Sequence, residues 1–259
     1  MNLPKLLAGL TTLSCLALGS ADAATVTTPS EYDVIWDSPS QDCHGSMPLG
    51  NGDIAVNAWI EPSGDLCFYI GKTDAWDDNA RLAKVGKIRV RLEPVPKTQP
   101  FRQALALAKG TMTASYGDGS TLKLWVDANR PVIHASVNSA TATTATAAIE
   151  LWRTKQEILP SLECNDVITN APKSEYAPTV VEPDTVLAGL DDRIGWYHRN
   201  IKSVGPATHA RIQGVSGYQR PDPLLHRTFG AIVTATTPKR LDDTHLQSSS
   251  GTEHRFDIH

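Results

Sequence analysis

Two neighbouring blocks of sequence carry side chains that could recognise a sugar. Residues 47–59 read MPLGNGDIAVNAW, a glycine turn that leads into a strand pattern, and residues 69–78 read YIGKTDAWDD, a strand that ends in one indole and three carboxylates. An indole offers a flat apolar surface to the C–H face of a sugar ring, and carboxylate oxygens accept hydrogen bonds from sugar hydroxyls. We therefore hypothesise that these blocks contribute to a carbohydrate site.

The acidic loop is the first candidate binding site. Trp76 would stack on the sugar, and Asp74 and Asp77 would accept hydrogen bonds from its hydroxyls. In the alternative interpretation Trp76 packs at the edge of the core, while Asp77 and Asp78 form a solvated turn. A catalytic carboxylate pair must flank opposite sides of a glycosidic bond, which neighbours in one short loop do not readily do. The sequence therefore assigns no catalytic residue.

The glycine turn adds Asn51 as a further candidate, an amide beside the indole and the carboxylates. Its amide could hydrogen-bond a ligand or close its own turn. Residues 50–55 also match the G-x-G-x-x-A pattern of dinucleotide sites, which requires a helix after the glycines. Here the following run, which ends in Trp59, has strand character, so we interpret the glycines as turn residues that accept positive φ.

A second dense cluster lies at residues 196–200, which read WYHRN. Strand alternation places Trp196 and His198 on one face, and Tyr197 and Arg199 on the other. Two interpretations stay open: a sandwich strand with a hydrogen-bonded histidine, or a polar edge that faces a ligand cleft or a docking domain, with His198 as a binding residue. The other histidines lack metal-ligand spacing and no CxxC pair occurs, so we predict neither a metal nor a cofactor.

Composition limits the class of protein. The chain has 259 residues, a formal net charge of −4 and 41% hydrophobic residues, which predicts a globular protein of one large domain or two small ones. A mildly acidic protein does not attract nucleic acid or an anionic membrane surface. We therefore expect neither partner.

Period-two patterns dominate the rest of the chain. Residues 87–92 alternate charged and branched apolar side chains, and residues 112–126 contain two alternating runs around a glycine turn, which predicts a β-hairpin. Further strands are predicted at 132–137 and at 147–152 as separate elements. Many short strands without α/β alternation predict an all-β fold, a large antiparallel β-sandwich (supersandwich) over residues 24–259.

Two segments do not follow the strand pattern. Residues 101–109 contain alanines and leucines that would accept a helix, but a glycine follows at once, and both assignments stay open. Residues 155–192 contain four prolines and few apolar runs. Because strand patterns resume afterwards, we predict a long surface excursion and not a linker between domains.

The first 23 residues are predicted to be a cleavable signal peptide. Lys5 supplies the positive end, residues 6–18 are mostly apolar, and the small-x-small sequence that ends at Ala23 predicts the cut. The alternatives are a membrane anchor, for which the apolar run is short, and a lipoprotein modified at Cys15. The prediction places the mature chain outside the cytoplasm, secreted or periplasmic.

The mature chain would keep three cysteines, Cys43, Cys67 and Cys164. An exported protein can oxidise one pair, and Cys43 and Cys67 are the nearer in sequence. The alternative is that all three are small buried apolar residues, which is the interpretation we prefer.

The motifs quoted above resemble a known group of domains. Residues 36–52 resemble the opening W…LPLGNG block of the N-terminal β-supersandwich domain in glycoside hydrolase family 95, the α-L-fucosidase-like six-hairpin enzymes. Residues 68–76 stand where those enzymes end a strand in LNEDTLW, although this chain reads GKTDAW there. Residues 196–200 and 227–230 are more similar to a domain of unknown function, family 5703, in secreted bacterial proteins. The likeness covers most of residues 31–236.

The resemblance implies a non-catalytic N-terminal domain of a secreted glycoside hydrolase-like protein that acts on carbohydrate. In such enzymes the general acid lies on an (α/α)6 barrel C-terminal to the sandwich. We expect that this barrel is missing from the chain and that the sequence, which ends at His259, is a fragment. The alternatives are a stand-alone carbohydrate-binding module with Trp76 as its platform, and a self-sufficient hydrolase that uses Asp74 or Asp77.

Overall fold

The computed structural model describes residues 29–78, 81–159, 180–202, 205–217 and 221–259. Outside these ranges lie the predicted signal peptide, which contains Cys15, and most of the proline-rich excursion, which contains Cys164. Within them the strands are β1 (Val34–Trp36), β2 (Met47–Gly50), β3 (Ile54–Ile60), β4 (Leu66–Trp76), β5 (Leu82–Glu93), β6 (Arg102–Ala106), β7 (Thr111–Ser115), β8 (Thr121–Val126), β9 (Ile133–Glu150), β10 (Glu157–Ile158), β11 (Val180–Val181), β12 (Thr185–Val186), β13 (Ile194–Arg199), β14 (Thr228–Ala235), β15 (Pro238–Arg240) and β16 (His245–Ile258). The helices there are α1 (Gly205–Ile212) and three 3-10 turns, Pro29–Tyr32, Cys43–Gly45 and Leu107–Lys109.

Fourteen of the described strands form one antiparallel sheet that folds into two layers. The first half of β9 pairs with β8 and its second half with β5, while β16 pairs with β9 along both halves. One layer therefore has the order β1-β6-β7-β8-β9-β16-β14-β13-β12, and the other runs β2-β3-β4-β5-β9-β16-β15. Irregular pairing around Gly251 marks where β16 passes from one layer to the other.

The core lies between the two layers. Along β5, Ile88, Val90 and Leu92 point inward and are at most 3% exposed, whereas Lys87 and Arg89 point to the outer face. The inward residues pack in one cluster with side chains of the facing layer, such as those of β8 and β14. Period-two patterning therefore buries one face of each layer and leaves the other to water.

The predicted all-β, antiparallel sandwich is confirmed, and so is the hairpin, which consists of β7 and β8. One boundary prediction was wrong. The strands expected at 132–137 and 147–152 are a single strand of 18 residues, β9. The Thr/Ala run between them keeps the extended conformation because β16 pairs beside it. Within the ambiguous residues 101–109, Arg102–Ala106 form β6 and Leu107–Lys109 form a 3-10 turn.

The glycine turn joins two antiparallel strands, β2 and β3, and Gly52 has a φ of 93°. A strand therefore follows the glycines where a dinucleotide site requires a helix.

Cys43 and Cys67 are both free thiols, so the alternative that they form a disulfide was wrong. In the described ranges no helix has the length and apolar character needed to cross a membrane.

Candidate ligand-binding cavity

A cavity of about 610 Å³ lies beside the hairpin of β4 and β5, where this hairpin meets the chain that leaves β9, the small β10–β11 ribbon and strand β13. Its volume falls in the range of small-molecule sites. The cavity is lined by Tyr69, Asp77, Arg81, Leu82, Ala83, Lys84, Trp152, Arg153, Glu157, Leu159, Val181 and His198.

Two aromatic rings form one wall. Tyr69 points to the outer face of β4 because its neighbours Phe68 and Ile70 point into the core. Trp152 follows the end of β9 and is 44% exposed. The two rings meet edge to face, with centroids 5.9 Å apart and planes at 85°. The ring centroids of Tyr69 and the buried Trp59 are 5.3 Å apart. The exposed indole of Trp152 therefore packs on Tyr69, which itself packs on Trp59.

The acidic loop between β4 and β5 supplies the next part of the wall. Oδ1 of Asp77 accepts a hydrogen bond from the backbone N–H of Arg81 (2.9 Å), and Oδ2 accepts one from its Nε (2.8 Å). Asp77 is 2% exposed and Asp78 is 4% exposed. The alternative in which these residues form a solvated turn was therefore wrong, because the loop folds back against strand β13.

Asp78 has unusual electrostatics for a surface-loop residue. Its Oδ1 has no hydrogen-bond partner among the described residues. Burial, with a smaller contribution from the negative charge of Asp77, raises the pKa of the Asp78 carboxyl to about 6. A carboxyl with such a pKa gains or loses its proton near neutral pH, which is a property of acid–base groups in functional sites.

His198 lies on the inner face of β13 and lines the cavity. Its Nδ1 lies 3.0 Å from Oδ1 of Asp184, which also accepts a hydrogen bond from Nε of Arg153 at 2.8 Å. The ring packs on Phe229 with centroids 5.1 Å apart. The interpretation of a sandwich strand with a hydrogen-bonded histidine is confirmed. The same side chain also belongs to the cavity, so the two interpretations did not exclude each other.

The structure brings together only two of the five binding residues predicted from sequence, Asp77 and His198. Asp74 is exposed and its Oδ1 lies 3.0 Å from the Nζ of Lys72. Trp76 is 37% exposed but does not line the cavity, and its carbonyl oxygen accepts a hydrogen bond from Asn200.

Asn51 is committed to the fold. Its Oδ1 accepts hydrogen bonds from the backbone N–H groups of Asp53 and Ile54, both at 2.9 Å. Its Nδ2 donates to the carbonyl oxygens of Asp127 (2.8 Å) and Arg130 (3.1 Å). The amide therefore closes its own turn and links that turn to the end of β8; it does not line the cavity.

Sequence reasoning missed Tyr69, Lys84, Trp152 and Arg153 as members of one site. The only local signal was the Trp-Arg pair at the end of an alternating run. Nothing local shows that this end meets the β4–β5 hairpin, because residues 69 and 152 are brought together by the pairing of β5 with β9.

The arrangement suits reversible binding of a polar ring compound. Aromatic faces, two guanidinium groups, an ammonium, carboxylates and an imidazole surround one open cavity. Across the described part of the chain, no cluster of three or more His, Cys, Asp or Glu side chains is placed to hold a metal ion.

A family model described as "Domain of unknown function (DUF5703)", for the N-terminal domain, matches residues 35–256. No curated protein matches the chain. The matched residues include all the residues that line the cavity. The similarity to family 5703 is thus confirmed, whereas the match contains nothing that connects the chain with glycoside hydrolase family 95.

Proposed function

We propose that this chain, which belongs to the family of DUF5703 N-terminal domains, is a non-catalytic sandwich domain that binds carbohydrate for a glycan-processing protein. The observation that carries the proposal is the edge-to-face pair of Tyr69 and Trp152 in the wall of a 610 Å³ cavity. An exposed indole held by a second ring binds the apolar face of a sugar at a low entropic cost, since little side-chain freedom remains to be lost.

The polar groups around the indole support the same ligand class. Nε2 of His198 has no hydrogen-bond partner among the described residues, while Nδ1 is held by Asp184. The free nitrogen and the exposed carboxylate of Glu157 offer hydrogen bonds to hydroxyl groups, and the aromatic pair lies on the same cavity. A flat apolar surface next to several hydrogen-bonding groups matches the two-sided chemistry of a sugar ring.

The wider setting is part of the proposal. The predicted signal peptide places the domain outside the cytoplasm, where polysaccharides are encountered, and the resemblance stated above suggests a C-terminal (α/α)6 barrel as the partner that cleaves the glycan. Sequencing the N-terminus of the exported protein tests the first part. A start at Ala24 is the expected result, and an uncleaved N-terminus would contradict it.

The binding proposal is tested by screening the purified chain on a glycan array and measuring the best ligands by calorimetry. Trp152→Ala should lower the affinity by about tenfold, as expected from loss of an aromatic contact of about 1.4 kcal/mol. Trp76→Ala is the matched control, because Trp76 is similarly exposed but lies outside the cavity. Absence of binding at millimolar glycan, or a loss of affinity confined to Trp76→Ala, would contradict the proposal for this cavity.

A second candidate function is hydrolysis of the glycan by the chain itself. The observation in its favour is the buried carboxyl of Asp78, whose raised pKa of about 6 would let it donate a proton near neutral pH. Aryl-glycosides test this directly. Turnover that disappears in Asp78→Asn but persists in Asp118→Asn, a turn carboxylate elsewhere in the fold, would establish it. A chain that binds glycans without turnover would reject it.

A further inference from the structure

Lys84 places an uncompensated positive charge on the wall of the cavity. Its Nζ lies 4.2 Å from the centroid of the Tyr69 ring, and no carboxylate among the described residues lies within ion-pair distance of it. We propose that the sugar bound in this cavity carries a negative charge, as a carboxylate or a sulfate ester, and that the ammonium of Lys84 binds this group. The inference rests on the proposed function and specifies its substrate class.

The ammonium is held in a defined place. Attraction between the cation and the ring of Tyr69 holds the ammonium of Lys84 over that ring. The same ring meets Trp152 edge to face. Lys84 and Trp152 line the same cavity, so a sugar that contacts Trp152 there lies in the cavity whose wall carries the ammonium.

The other cations of the cavity are already paired. Nε of Arg81 donates to Asp77 at 2.8 Å. Arg153 donates from Nε to Asp184, from Nη1 to the carbonyl oxygen of Lys84 and from Nη2 to that of Val85. The guanidinium groups therefore build the wall, and among the described residues that line the cavity Lys84 is left as the cation that can pair with a ligand.

Other lysines of the sheet provide comparisons for Lys84. Lys72 and Lys87 both pair with carboxylates, at 2.8 Å from Asp53 and 2.6 Å from Glu150. Lys123 lies 4.9 Å from the ring of Trp125 in the same kind of cation–π contact, but it does not line this cavity. Lys123 is thus a matched control for the loss of a ring-bound ammonium.

The experiment compares three ligands of equal length by calorimetry: an oligosaccharide of uronic acids, its carboxyl-reduced neutral form, and a sulfated oligosaccharide. Lys84→Met keeps the apolar stem over Tyr69 and removes the charge. It should weaken binding of the charged ligand by about tenfold, as for loss of a hydrogen bond to a charged group. It should leave binding of the neutral form unchanged, while Lys84→Arg and Lys123→Met should keep the native preference.

Each outcome decides the inference. A Lys84-dependent preference for the uronate or for the sulfate supports it and identifies which of the two anions is bound. Equal affinities for charged and neutral ligands, with no effect of Lys84→Met, overturn the charge preference and leave the carbohydrate proposal standing. A lack of binding to all three ligands and to the glycan array overturns both.

Discussion

Oδ1 of Asp184, the residue directly before β12, lies 3.0 Å from Nδ1 of His198 in β13. Both side chains are nearly buried, at 1% and 3% exposure. An ionised carboxylate can only accept, so the hydrogen of the neutral imidazole lies on Nδ1 and its lone pair on Nε2. Asp184 thus orients the histidine of the cavity, and through its bond to Arg153 it also anchors the chain that carries Trp152.

Replacing this carboxylate should destabilise the domain. Asp184→Asn leaves Arg153 without its counter-charge in a largely buried position, and we expect the free energy of unfolding to fall by about 3 kcal/mol in urea denaturation. Asp192→Asn is the control, since its pair with Arg193 is exposed and should contribute nothing measurable. Equal unfolding midpoints for the two variants would show that the Asp184 cluster does not stabilise the fold.

Asp78 should make stability depend on pH in a recognisable direction. Its folded-state pKa of about 6 lies above the ordinary value of 3.8, so the native state holds the proton more tightly than the unfolded chain. The free energy of unfolding should therefore decrease as pH rises from about 4 to about 6. Asp78→Asn should remove this slope and be more stable than the native chain at pH 7, by about 1–2 kcal/mol.

Asp118 provides a control of opposite sign for that experiment. Burial acts to raise the pKa of the Asp118 carboxyl. This pKa is nevertheless lowered overall, because the backbone N–H groups of Ser120 and Lys97 donate hydrogen bonds to the carboxylate. Asp118→Asn should therefore lower stability at neutral pH, and the difference from the native chain should vanish on acidification below about pH 4. Parallel pH profiles for Asp78→Asn and the native chain would refute the assignment of Asp78.

Gly86 leaves the space that Trp196 occupies between the layers. A Cβ at Gly86 would lie 2.4 Å from Cζ2 of Trp196, and the indole is fixed by a hydrogen bond from Nε1 to the carbonyl oxygen of Val85 at 2.9 Å. We expect Gly86→Ala to lower the free energy of unfolding by about 1–3 kcal/mol. Gly71→Ala, also in a strand but with its nearest atom at 4.0 Å, should be tolerated. Comparable melting temperatures for the two variants would be inconsistent with close packing at Gly86.

Asn51 tests whether the glycine turn acts in structure or in binding. Asn51→Ala removes four hydrogen bonds, and the expected loss of stability is about 2 kcal/mol. Glycan affinity at a temperature where the variant is folded should not change, because the residue lies outside the cavity. Asn57→Ala, an exposed residue of β3, serves as the control for both measurements. A stable variant with weakened binding would show that Asn51 acts in ligand binding.

Cys43 and Cys67, the free cysteines in the part of the chain that the structure describes, should differ in reactivity. Cys67 is fully buried, and burial raises the pKa of its thiol far above the ordinary value. Cys43 is partly exposed in a 3-10 turn. Iodoacetamide followed by peptide mass spectrometry should find Cys43 modified in the native protein and Cys67 modified only in denaturant. Rapid native labelling of Cys67 would show that the strands around it open.

The sequence by itself determined the fold class and the local elements. Alternation along residues such as those of β5 and β13, and the glycine turn before β3, are short-range signals, because side-chain period and positive φ depend on neighbouring residues. The all-β prediction and the hairpin of β7 and β8 follow from such signals. The same local signals could not show that β9 continues through its Thr/Ala run, since that run is held extended by a partner strand about a hundred residues away.

Only the tertiary structure decided which side chains share a cavity. Asp77 and His198 were recognised as candidates by type, but Trp152 and Lys84 join them through the pairing of β5 with β9 and the closure of β13 against the hairpin. The same packing buried Asp78 and committed Asn51 to its turn. Contacts between residues far apart in sequence are set by which strands pair and by how the layers close, and a single sequence carries no local record of either.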